Sequence, residues 1–96
     1  MALELRSTVK TGGTLEIMLA EVPIPDPKDN EVVVRIEASP VNPSDLGLLF
    51  GAADMSTAVV SGSADNPVVT ADIPDGLMKA MEGRLDQSLP VGNEGA

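Results

Sequence analysis

Residues Glu31 to Gly51 read EVVVRIEASPVNPSDLGLLFG, and the reading of this stretch decides the fold. Val32, Val34, Ile36 and Ala38 alternate with Val33, Arg35 and Glu37, the period of two that a strand imposes. The pattern predicts a strand over 31–38 and makes it the expected centre of a sheet. Pro40 and Pro43 bracket the next loop, each turning the residue before it away from the helical region. Ser44 stands where a helix N-cap belongs, and Asp45 suits the positive end of a helix. Leu46, Leu49 and Phe50 then form one apolar face, and Gly51 is the usual stop. Polar groups in a tight loop between strand and helix are where a fold places its chemistry. Asn42, Ser44 and Asp45 are therefore the first candidates.

Upstream, Leu3, Leu5 and Val9 alternate with Glu4, Arg6, Thr8 and Lys10, and Leu15, Ile17 and Leu19 alternate with Glu16, Met18 and Ala20. The pair of glycines at 12 and 13 supplies the turn, so a β-hairpin is expected. Pro23, Pro25 and Pro27 lack amide hydrogens and confine their segment to an extended edge. Downstream, Thr57–Ser61 and Pro67–Thr70 read as two short strands or as loop, and periodicity does not choose between them. From Pro74 the spacing becomes helical, with Leu77, Met78, Met81 and Leu85 in one stripe and Asp72 as candidate cap. Gly83 costs such a helix about 1 kcal/mol relative to alanine, which predicts a short, docked one.

Ninety-six residues suit one domain, and 43% apolar residues suffice for a core, but Phe50 is the only aromatic. Fifteen acidic against six basic residues give a net charge of −9, which disfavours nucleic acid and anionic membrane surfaces. No charged-then-apolar leader and no long apolar run is present, so a cytoplasmic location is expected. The chain has no cysteine and no histidine. An ordinary zinc site, a Cys–His pair and a Ser–His pair are thereby excluded, and no metal is expected. Chemistry here is restricted to hydroxyls, carboxylates, Lys, amides or a borrowed cofactor.

The hairpin, VPIPDPKDNEVVVRIEASPVNPSDL and the closing LPVGNEGA together resemble the N-terminal part of the medium-chain dehydrogenase/reductase superfamily, closest to its zinc-free quinone oxidoreductase and enoyl thioester reductase branches. The resemblance covers about two-thirds of the chain, in the family's order. It implies a mainly β fold, a partial GroES-like open β-barrel with two short helices. Residues 1–96 would be the N-terminal part of the catalytic domain, with 51–88 as an insertion. The Rossmann cofactor domain is absent from this chain, which contains no G-x-G-x-x-G.

The function implied is the substrate side of an NADPH-dependent, zinc-independent quinone or enone oxidoreductase, inactive alone. NADPH would serve the full-length enzyme, with no cofactor expected on this fragment. The partners implied are a small quinone or enone and either a missing C-terminal portion or a second copy. The alternative is a stand-alone GroES-like binding module without catalysis. Zinc members carry cysteine at the position of Asn42 and histidine at that of Asn93. The tyrosine that serves enoyl thioester reductases has no counterpart here.

By that resemblance Asn42 would contact the nicotinamide ribose or a substrate carbonyl; otherwise it turns the loop ahead of Pro43. Ser44 matches a proton-relaying hydroxyl, in competition with a capping role for the same oxygen. Asp45 matches the carboxylate that orients the histidine ligand of zinc members, and is expected to accept a hydrogen bond from Asn93 here. Glu94 would cap backbone amides near the cleft or stand solvated.

Overall fold

The computed structural model describes residues 2–92 and 95–96. The chain is mainly β: one antiparallel five-stranded sheet with two short helices, the form of a partial, open barrel. The strands are β1 (Ala2–Lys10), β2 (Thr14–Val22), β3 (Asp54–Gly62), β4 (Pro67–Asp72) and β5 (Leu89–Pro90). Their order across the sheet is β3-β4-β2-β1-β5. The helices are α1 (Pro43–Phe50) and α2 (Asp75–Met78), and a 3-10 turn over Lys79–Arg84 continues α2.

The expected hairpin is the middle of this sheet. Lys10 pairs with Thr14 across a three-residue loop in which the Gly13 amide donates to Lys10 O at 3.0 Å. Gly13 sits at φ 93°, a conformation that costs a side chain but not a glycine. Leu15 and Ile17 face inward as their alternation requires and join Val9 and Ile73 as the buried core. Leu49 and Phe50 of α1, and Met78, Met81 and Leu85 from the second helical segment, pack against it. Leu3 and Leu5 share the pattern of Val9 yet stay exposed, because the helical cover reaches only the Ser7–Val9 end of β1.

Residues 31–38 are not a strand. Val32 is 82% exposed and Val34 64%, and neither takes part in the sheet. The place beside β2 expected for a central strand is held instead by β4, which pairs Leu15 with Ala71 and Ile17 with Val69. Both segments contain runs of valine, and only 31–38 alternates clearly; the one with a docked neighbour formed the ladder. Residues 51–88 accordingly supply two of the five strands and most of the partly buried apolar residues that cover the core, and Thr57–Ser61 and Pro67–Thr70 both lie in strands. The extended arm of residues 23–41 explains a radius of gyration of 15.1 Å, where about 12–13 Å is typical for this length.

The second helix is shorter than its stripe predicted: four α-helical residues, capped at Pro74 rather than Asp72, which belongs to β4. The 3-10 turn that continues it ends at Arg84, and two residues on stands Asp86, whose φ of 55° an aspartate tolerates. There the carboxylate accepts the Thr11 amide at 3.2 Å and the Thr11 hydroxyl, tying the hairpin loop to the 3-10 turn. The Thr11 hydroxyl, then its amide, hold the Asp86 carboxyl below its ordinary 3.8. A depressed folded-state value stabilises the fold above the unfolded value and loses that contribution as pH falls through the folded one. Asp86→Asn keeps the backbone conformation and removes the charge. Its urea midpoint should lie below that of the parent chain at pH 6, and the two should converge under strongly acid conditions. A constant difference across that range would sink this assignment.

Candidate functional site

The chain around Asn42 does form a turn into a helix, but the cap lies two residues earlier than the expected Ser44. Asn42 is the N-cap of α1 in an extended conformation, and Pro43 fills the first helical position, where its missing amide costs nothing. The Asp45 carboxylate accepts the Asn42 amide at 2.8 Å, its half of a capping box. Asp45 is one of three polar or charged side chains buried among the described residues. Ser44 is the second residue of α1 and is exposed.

Asp45 lines a cavity of about 80 Å³ with Leu5, Ser39, Pro40, Leu49 and Val91. A wider concavity of about 440 Å³ shares Leu5, Ser39 and Val91 with it and reaches Leu3, Ile36 and Gly95. The turn before α1 and the C-terminal segment therefore meet at one place. The meeting is held by backbone bonds: Val91 donates to Leu5 O at 2.9 Å, and Ala96 donates to Ala38 O at 2.8 Å. Gly95 allows the approach, since a β-carbon there would lie 3.1 Å from Ile36 Cγ2. Asn93 and Glu94 fall outside the described residues, so the expected bond between Asn93 and Asp45, and the capping role of Glu94, fall there too. A second concavity of about 410 Å³ runs along Ile24–Pro27 and Glu31–Val33, but no helix end or buried polar group converges on it.

What the sequence reading missed is how the other end of α1 is held. Arg84 Nη2 donates to Leu48 O at 2.8 Å and to Ser7 Oγ at 3.1 Å, while Ser7 Oγ donates to Leu49 O at 2.9 Å. These are helix-end carbonyls with no intrahelical partner, and a cation there also suits the negative end of the helix. Partial burial pulls the Arg84 guanidinium below its ordinary value. No local pattern marks this latch, because its members stand 77 and 36 residues apart. Arg84→Met should lower unfolding free energy by roughly 1–2 kcal/mol, read from urea titration, with Arg84→Lys recovering part of it. No change in Arg84→Met would mean the latch carries no stability.

The donor set does not fit zinc. The chain has no cysteine or histidine, and among the described residues no group of three or more acidic side chains could hold a metal. Among those residues, too, no helix is long and apolar enough to cross a membrane. A stretch of 34 residues is 56% identical to a zinc-type alcohol dehydrogenase-like protein of Schizosaccharomyces pombe. Over that stretch the chain is similar to that protein. The match covers 35% of this chain and 10% of the yeast protein, and it supports the resemblance at the level of the superfamily. No protein-family model matches the chain.

Proposed function

We propose that this chain forms the substrate side of the cleft in an NADPH-dependent, zinc-independent reductase of quinones or enones. The supporting observation is that Val41 and Asp45, on either side of the turn into α1, line one cavity with the C-terminal Val91–Gly92 segment, with the buried Asp45 carboxylate in its wall. The alcohol dehydrogenase-like stretch supports an oxidoreductase more broadly. The absence of cysteine and histidine favours the zinc-independent form.

The 96 residues hold no glycine-rich dinucleotide fingerprint, so NADPH is assigned to other parts of the enzyme. When bound there, it supplies the hydride. This chain's part is to orient the acceptor and stabilise the oxygen on which charge develops. In this reading the Ser44 hydroxyl, exposed at the helix start next to cavity-lining Asp45, donates to a substrate carbonyl, with the Asn42 amide as a second donor. Asp45 positions both by holding the Asn42 backbone, and its burial keeps that hold rigid.

The test is a titration of the isotopically labelled chain with a soluble naphthoquinone, followed by amide chemical shifts. Shifts should concentrate at Ser39, Val41, Ser44, Leu49 and Gly92, and NADPH added alone should move none of them. Shifts confined to Ile24–Val33, or no response at millimolar quinone, would overturn the assignment.

A further inference from the structure

The arm at residues 31–36 has the composition of a strand, and its backbone takes no hydrogen bonds within 32–36 among the described residues. Its limits are sharp. On one side Glu31 donates to Lys28 O at 3.0 Å and its carboxylate accepts the Lys28 amide at 3.1 Å, closing a turn over Asp29–Asn30. On the other side the Glu37 and Ala38 amides both reach Ala96 O, at 2.7 and 2.9 Å. Between these stops lie exposed Val32, Val33, Val34 and Ile36, flanking an exposed Arg35. An open valine-rich edge of this kind pairs with whatever strand fits it.

We propose that residues 31–35 pair antiparallel with the same residues of a second copy of this chain, about a two-fold axis at Val33. Charge selects the register. With Val33 opposite itself, Glu31 of each copy lies opposite Arg35 of the other, so the symmetry makes two cross-strand ion pairs. Moving the axis to Val34 sets Arg35 opposite Val33 and drives Glu31 toward Glu37. Moving it to Ile36 would pair Arg35 with Glu37, but the Glu37 and Ala38 amides are already bound to Ala96 and Pro40 has no amide to give. Moving it to Val32 requires Asp29, which the turn removes from the strand. In the favoured register Val32 and Val34 of both copies share the opposite face, so four exposed valines cover one another. The Arg35–Glu37 pair within one chain is solvent-exposed on both sides and too weak to hold Arg35 back. The pairing is independent of the reductase reading.

Sedimentation equilibrium on the 96-residue chain tests it. The parent chain should show a monomer–dimer equilibrium below millimolar concentration. Glu31→Arg and Arg35→Glu should each weaken it roughly tenfold or more, since each turns two attractions into two repulsions. An equimolar mixture of the two variants should restore it as a heterodimer, because the strand bearing two arginines then faces the strand bearing two glutamates. The chain has no cysteine, so Val33→Cys reads the axis directly. Residues directly opposite in an antiparallel pair have Cα atoms roughly 4.5–5.5 Å apart, within disulfide reach. Val33→Cys should therefore oxidise to a linked dimer faster than Val32→Cys. A parent chain that stays monomeric at millimolar concentration would overturn the proposal and leave the arm to a different strand. So would variants that dimerise like the parent when alone, or equal cross-linking at 32 and 33.

Discussion

Leu15→Ala should lower the free energy of unfolding by about 2–5 kcal/mol. Leu15 is wholly buried, and the core around it is small: Val9, Ile17 and Ile73 are its buried apolar companions. Truncation removes the largest buried side chain from the middle strand and opens a cavity between the sheet and α1. Two features keep the surroundings from closing it. The strand is held on both sides, by Val9 of β1 and Ala71 of β4, and α1 is pinned at its end by Arg84. Domains of this size have only about 5–15 kcal/mol in total, so a variant in the upper part of that range would be partly unfolded at room temperature. Urea titration followed by circular dichroism reads the change. A loss below about 1 kcal/mol, with an unaltered slope, would show that the core does not centre on β2.

The second large effect is expected at Gly62, where β3 turns into β4. This residue has φ 81°, and a β-carbon there would lie 2.3 Å from Asn66 O, closer than any real contact. The carbonyl cannot simply withdraw, since it accepts the Ser63 amide at 3.3 Å within the turn. Gly62→Ala should therefore cost roughly 2–4 kcal/mol, combining left-handed strain with displacement of the turn. Gly13→Ala separates the two causes. Gly13 has φ 93° but open space around its β-carbon position, so only the strain of about 1–2 kcal/mol applies. Equal losses at the two sites would show that the clash at Gly62 relaxes freely.

Of the candidate site, the start of α1 was legible in the chain order. Asn42-Pro43-Ser44-Asp45 announces a helix start through chemistry that acts within four residues, and a helix starts there. The sequence pointed to Ser44 as the cap, and the cap is Asn42, whose side chain suits the position equally. The choice was decided by which carboxylate geometry Asp45 could reach once Pro43 occupied the first turn. Burial of Asp45 follows from α1 docking on β1, a contact spanning some forty residues that no local pattern encodes.

The sequence by itself determined the hairpin, the helix start after Pro40 and the exclusion of cysteine and histidine chemistry. Each of these depends on residue identity and short spacing alone. Tertiary structure decided which valine-rich segment joined the sheet. Residues 67–72 and 31–38 have similar strand character, and a ladder forms only where a neighbouring strand offers its edge. It also decided that Ser7 and Arg84, unremarkable in the chain, would close the far end of α1. A hydrogen bond across 77 residues is set by the packed fold that brings its ends together.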